Sequence, residues 1–256
     1  MSYTIAVAGK GGVGKTTICG LIIDHLCKKK EGPVLAVDAD ANSNLNEVLG
    51  VEVGMTLGDL REEVAKADLV KDSPIPPSMS KQDYLNYKFN EVMIEEDDFD
   101  MLVMGRTQGS GCYCFVNGLL QAQLSRISGN YRYIVVDNEA GMEHISRGIL
   151  PKVDVILLVS DCSRRGIQAV GRIAQLVKEV QMDVKTVKLI VNRAPEGELD
   201  PAIRQEIEKQ GLDLLGVLPA DDLVYQYDLE GKPTVQLPED APIRQSLAGL
   251  LKELNL

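Results

Sequence analysis

Tyr3-Thr4-Ile5-Ala6-Val7-Ala8-Gly9-Lys10-Gly11-Gly12-Val13-Gly14-Lys15-Thr16-Thr17 is the stretch that decides how the rest of the chain reads. An apolar, β-prone run, Ile5–Ala8, enters a glycine-rich turn at Gly9–Gly14, and Lys15-Thr16-Thr17 opens a helical pattern that continues from Ile18 to Leu26. Gly9 to Thr16 satisfy G-x-x-x-x-G-K-[ST]. In that pattern glycines let backbone N–H groups turn in on phosphate oxygens, a lysine neutralises the β/γ charge, and a hydroxyl ligates Mg²⁺. Gly9, Gly11 and Gly14 also satisfy G-x-G-x-x-G, the dinucleotide fingerprint, with Asp38 and Asp40 at the end of a second strand. A nicotinamide site has no use for a lysine and a hydroxyl directly after its third glycine. A nucleoside triphosphate with its metal needs both.

Outward from this loop, Val34–Val37 is a continuous apolar run of the kind found in buried parallel strands, and it delivers Asp38-Ala39-Asp40 to the sheet edge where ligands bind. Tyr133–Val136 ends in Asp137-Asn-Glu-Ala-Gly141. After a phosphate loop, such an acid is expected to support Mg²⁺, and the glycine four positions later to bring its N–H to the γ-phosphate. Asn192-Arg193 closes the run Val187–Val191, the position where many P-loop proteins read the base. Guanine readers use N-K-x-D, whose acid accepts from guanine, but the fourth position here is Pro195, so adenine is the expected base. An asparagine turn at a strand end is the structural alternative.

Val155–Val159 and Leu214–Leu218 are further apolar runs, alternating with helical patterns at Val116–Ile127, Gly166–Val180 and Pro201–Gln210. Such alternation predicts an α/β fold, a mostly parallel, doubly wound sheet flanked by helices, expected as a single domain over 1–256. Lys71–Asn90, with Pro74, Pro76 and Pro77, reads as a surface excursion, and Glu95–Asp98 as a solvated acidic turn. Pro242–Leu254 is amphipathic but poor in cations, so packing on the sheet is expected over membrane targeting.

With 256 residues, 45% hydrophobic content and a net charge of −11, the chain can bury a large core and is expected to bind neither nucleic acid nor an anionic membrane. A cytoplasmic location is expected, because Met1 leads straight into the first strand and no apolar run approaches the roughly 20 residues of a membrane span. The five cysteines then read as thiols or metal ligands. Cys19, Cys27 and Cys162 are expected to pack. Cys112-Tyr113-Cys114 offers two thiolates, too few for a closed Zn²⁺ site, but a two-fold axis would supply four, a set that also suits Ni²⁺. Incidental thiols are the alternative. His144 reads as a nucleotide or metal contact or as a helix cap, and His25 as a polar residue on the exposed side of the first helix.

Lys10-Gly-Gly-Val-Gly-Lys15-Thr-Thr, Asp38-Ala-Asp40 and Asp137-Asn-Glu-Ala-Gly141 together resemble the deviant Walker A ATPases over essentially the whole chain. That class includes the MinD and ParA partitioning proteins, the tail-anchored-protein targeting ATPase and the nitrogenase iron protein. The resemblance implies that Lys10 reaches across an ATP-bound homodimer, that Asp40 orients the attacking water, that Thr16 ligates Mg²⁺, and that Asp38 and Asp137 support the metal through water. Asp40-Ala41 departs from the common Asp-Pro, although the acid is retained. Gly111-Cys112-Tyr113-Cys114 followed by Glu139-Ala-Gly141-Met-Glu143-His144 is similar to the CooC-type maturation ATPases. That likeness implies nickel insertion into carbon monoxide dehydrogenase or acetyl-CoA synthase, with Ni²⁺ or Zn²⁺ held by Cys112 and Cys114 across the dimer. The rivals are a MinD/ParA-like spatial organiser and an iron–sulfur electron carrier like the nitrogenase iron protein, whose cysteines come from two separate loops.

Overall fold

The computed structural model describes residues 2–67, 75–76, 78–106, 114–140 and 152–256. Eight strands form one sheet: β1 (Tyr3–Gly9), β2 (Val34–Ala39), β3 (Ile94–Glu95), β4 (Phe99–Val103), β5 (Tyr133–Asn138), β6 (Val153–Asp161), β7 (Val184–Ala194) and β8 (Leu214–Pro219), in the spatial order β3-β4-β2-β5-β1-β6-β7-β8. Every pairing is parallel except that of β3 with β4. The central strands are near-continuous apolar runs because helices cover both of their faces.

Along β1 the side chains divide by alternation. Ile5 and Val7 join Ile18, Leu21 and Ile22 of α1 (Lys15–Lys29) on one face. Ala6 and Ala8 face the other layer, with Leu57 and Leu60 of α3 (Leu57–Ala67). A short α2 (Leu45–Leu49) precedes α3, and α4 (Lys81–Val92) and α5 (Cys114–Ile127) follow it. Further on are α6 (Arg164–Glu179), α7 (Pro201–Lys209), α8 (Asp222–Leu229) and α9 (Pro242–Glu253).

The amphipathic final helix packs as expected. Ile243, Leu247 and Leu251 of α9 are buried beside α1, each such side chain contributing roughly 1.5–3 kcal/mol. Its one buried cation, Arg244, holds Asp24 of α1 at 2.5 Å. Among the described residues no helix is long and apolar enough to cross a membrane.

Three local readings change. Lys71–Asn90 is not all surface excursion: Ser80 caps α4 by accepting from the Asp83 N–H at 3.1 Å, and Tyr84, Leu85, Phe89 and Val92 are buried. The neighbouring prolines obscured that serine-to-acid cap signature. Glu95 belongs to β3, and the acidic turn closes the β3–β4 hairpin, with the Glu96 N–H donating to the Phe99 carbonyl at 3.0 Å. His25 is half-buried rather than on an open face, and that burial pushes its pKa down.

Register brings the chemistry to one edge. Asp137 lies opposite both Val7 and Asp38, Gly9 opposite Val159, and Asn192 opposite Asp161, all toward the carboxyl ends of parallel strands.

Candidate functional site

The turn that leaves β1 is possible only for glycine at its two tightest points. A Cβ on Gly9 would sit 2.2 Å from the Val159 carbonyl oxygen, and Gly14 has φ 91° with Asn192 Nδ2 only 2.5 Å from where its Cβ would be. Gly14 is also the N-cap of α1, so no side chain satisfies the first N–H groups of that helix, and no acid stands in its first turn. Open donors and the helix dipole make this end an anion site. Lys15 stands at its mouth with Nζ donating to the Lys10 carbonyl at 3.2 Å. Burial pushes the Lys15 pKa down, opposed by the carboxylates of Asp137, Asp40 and Glu139. Lys10 itself is exposed.

Two buried acids, Asp38 and Asp137, lie opposite each other on neighbouring strands, and the second acts on that lysine. Asp38 accepts from the Asp40 N–H and the Leu45 N–H, both at 3.0 Å, yet burial still pushes its pKa up to about 6. Asp137 is pushed up to about 7, again mainly by burial, with a hydrogen-bonding contact from Thr16 opposing the rise. Its Oδ1 is buried with no partner among the described residues. An orphaned carboxylate oxygen beside a second acid and a hydroxyl is a hard-oxygen donor set. A divalent cation of the Mg²⁺ type fits it, because the ion's charge would reverse the effect of burial. Asp40 sits on the loop beyond: its Oδ1 accepts from the Asn42 N–H at 2.8 Å and its carbonyl from the Ser43 N–H at 3.1 Å.

At the other end of the loop, Asn192 donates Nδ2 to the Val13 carbonyl at 2.9 Å, and its Oδ1 is buried without a partner. Arg193, at φ 57°, donates Nη1 to the Gly12 carbonyl at 3.0 Å. Both line a cleft of about 400 Å³ that Gly14, Thr17, Pro219, Ala220, Asp221 and Tyr225 also border. The sequence reading missed the 219–225 wall. The available signal was Asp221, a cap residue after an apolar strand: its carboxylate accepts from the Leu223 N–H at 3.0 Å, starting α8, and from the Ile243 N–H of α9 at 3.1 Å.

Gly141, Cys112 and His144 lie outside the described residues, and Cys114 opens α5 with its side chain undescribed. Among the described residues no group of three or more His, Cys, Asp or Glu side chains is arranged to hold a metal ion. Cys19 is buried in the core, and Cys27 and Cys162 are partly buried.

The family model for the CobQ/CobB/MinD/ParA nucleotide binding domain matches residues 4–235. An ATP-binding protein of Methanocaldococcus jannaschii is 41% identical over 250 residues, covering 98% of this chain and 97% of its own. The carbon monoxide dehydrogenase accessory protein CooC of Rhodospirillum rubrum is 29% identical over 244 residues, covering 89% of this chain and 87% of that protein. Among solved structures, the septum site-determining protein MinD from Pyrococcus horikoshii, complexed with Mg-ADP, superposes with a TM-score of 0.71 at 22% identity, covering 100% of this chain and 96% of that one.

Proposed function

Because the chain belongs to the CobQ/CobB/MinD/ParA family of P-loop nucleotide-binding proteins, we propose that it is a cytoplasmic, single-domain, homodimeric Mg-ATPase that couples ATP binding and hydrolysis to nickel delivery. The observation that carries the ATPase part is the orphaned Asp137 Oδ1 next to Thr16, Asp38 and the uncapped start of α1. The nickel part rests on the likeness to CooC and on the Cys112/Cys114 pair.

In this reading Gly9, Lys10, Gly11, Gly12, Val13 and Gly14 wrap the phosphates with backbone N–H groups, and Lys15 neutralises β/γ charge. Thr16 and Thr17 offer hydroxyls, with Thr16 as the direct Mg²⁺ ligand and Asp38 and Asp137 supporting the ion. Bound there, Mg²⁺ offsets the charge that develops on the phosphate oxygens. Asp40 orients the water that attacks the γ-phosphate, giving ADP and phosphate. Gly141 offers its N–H to the γ-phosphate, and Asn192 and Arg193 hold the base end. Lys10 neutralises phosphate charge on the opposite subunit. Ni²⁺ or Zn²⁺ is the cargo of the thiolates contributed by both subunits, and carbon monoxide dehydrogenase or acetyl-CoA synthase is the client.

A MinD-like spatial role is the alternative, and it calls for a surface to bind. The burial of the apolar face of α9 and the engagement of Arg244 by Asp24 weigh against this helix as a membrane anchor. The deciding measurement is anaerobic nickel and zinc binding together with subunit mass, without nucleotide, with ADP and with a non-hydrolysable ATP analogue. Nucleotide-dependent dimers that bind a thiolate-held metal support the proposal. Nucleotide binding without any metal uptake would leave an ATPase with a different client.

A further inference from the structure

We infer that Tyr225 is a base-stacking residue, an aromatic platform for the purine whose edge meets Asn192; this rests on the nucleotide reading above and names a determinant of that same site. The residue is 65% exposed, and its side chain makes no hydrogen bond, ion pair or ring contact with any described residue. Tyr227, two positions on, is fully engaged: its hydroxyl donates to the Gln236 carbonyl at 3.2 Å and its ring lies under the Lys232 ammonium. An aromatic side chain left uncovered on a helix start is unremarkable by itself. Tyr225, however, borders the same cleft as Asn192, whose buried Oδ1 has no partner. A residue with an unpartnered acceptor and an uncovered aromatic ring border one cleft, and that pairing is complementary to a flat, amine-bearing heterocycle.

The wall is also fixed before any ligand arrives. The Ala220 N–H donates to the Ala194 carbonyl at 3.0 Å, tying the loop to the strand end that carries Asn192. Asp221 then anchors the starts of α8 and α9 with its two carboxylate oxygens. Tyr225 stands in the first turns of α8, so the distance from its backbone to Asn192 is set by these bonds. Preorganisation of this kind converts more of the stacking free energy into affinity.

The test is calorimetric binding of Mg-ADP and of inorganic tripolyphosphate to the parent, Tyr225→Ala and Tyr225→Phe. Stacking of a base on an aromatic ring predicts that Tyr225→Ala binds Mg-ADP about 5- to 100-fold more weakly. Tripolyphosphate, which has no base, should bind both proteins equally. Tyr225→Phe should keep parental ADP affinity, since the ring face is retained. The chain has no tryptophan and eight tyrosines, so tyrosine emission is its intrinsic reporter. ADP should quench part of it in the parent and less in Tyr225→Phe. Parental ADP affinity in Tyr225→Ala, or an equal loss of tripolyphosphate binding, would overturn the stacking role alone. A parent that binds no Mg-ADP would overturn the nucleotide reading and this inference with it.

Discussion

Asn192, which borders the cleft, donates its Nδ2 to the Val13 carbonyl at 2.9 Å, which commits the donor half of the amide to the phosphate loop and leaves its buried Oδ1 as an acceptor without a partner. An acceptor there favours the 6-amino group of adenine and repels the 6-oxo group of guanine or hypoxanthine. ATP should therefore bind at least about ten-fold more tightly than GTP or ITP, the effect of one buried hydrogen bond gained against one acceptor left facing another. Asn192→Ala should erase the preference. It should also lower the melting temperature, because the Val13 carbonyl loses its donor. Competitive titration with the three triphosphates checks this, and equal affinities in the parent would remove Asn192 from base reading.

Asp137 and Asp38 predict an inverted pH dependence for the nucleotide-free protein. Their folded pKa values of about 7 and about 6 lie above the ordinary aspartate value of 3.8, so between about pH 4 and pH 7 the folded state holds more protons than the unfolded state. Stability must then fall as pH rises through that window, and the penalty is complete at pH 8. Asp137→Asn should be about 1–3 kcal/mol more stable than the parent at pH 8, with the gap closing near pH 4. The same variant should lose Mg²⁺-dependent ATP turnover. Urea melts at the two pH values decide it: a variant no more stable than the parent at pH 8 contradicts the assigned burial effect.

Asp40 allows a cleaner substitution than alanine. Its Oδ1 accepts from the Asn42 N–H, so Asp40→Ala breaks the turn as well as removing the charge, whereas Asp40→Asn keeps an acceptor in place. Asp40→Asn should bind ATP normally and lose about 10²–10⁴-fold in turnover, the range for a group that orients or activates the attacking water. Phosphate release with independently measured ATP affinity is the check. Parental turnover would remove Asp40 from the reaction.

Lys10 contributes its backbone carbonyl to Lys15 and leaves its side chain exposed, so Lys10→Ala should fold and bind nucleotide as the parent does. Its ATP-dependent dimerisation should weaken by about one to two decades, corresponding to one charge-assisted hydrogen bond of roughly 1.5–3 kcal/mol. Sedimentation with a non-hydrolysable analogue measures this directly. A variant that dimerises like the parent makes Lys10 an ordinary surface lysine.

Cys112 and Cys114 should bind one Ni²⁺ or Zn²⁺ per dimer, since each subunit brings two soft ligands and closure needs four. Either Cys112→Ala or Cys114→Ala should abolish the site, and metal should favour the dimer without nucleotide. Metal titration of reduced protein with mass determination gives the stoichiometry. One ion per monomer, or undiminished binding in both variants, would contradict a shared site.

What could be read from the sequence follows physical lines. The buried parallel strands were visible because a strand covered on both faces has to be apolar throughout, and the acids at 38, 40 and 137 stood out because charge at the end of such a run has no packing explanation. Asn192 was visible because a polar amide at the end of an apolar run likewise has no packing explanation. By contrast, α8 has no buried residue and so leaves no period in the sequence, which kept Tyr225 out of sight. The two-residue β3 is too short to give any alternation. The second bond of Asp221, to the start of α9, left no local signal because it joins residues 22 positions apart.

The two bonds that Asp38 accepts have a mechanical consequence. One carboxylate at the tip of β2 grips the chain at Asp40 and again at Leu45, so the intervening segment is a closed ring hung from a single hook. A tug on Asp40 from the phosphate side is therefore carried to the first residue of α2 through that hook, without the loop having to refold. Leu45 and Leu49 anchor α2 in the same layer as α1. Displacement at the reacting end should thus be felt as a rocking of a whole short helix, and lengthening the ring by one residue should uncouple the two ends while leaving each intact.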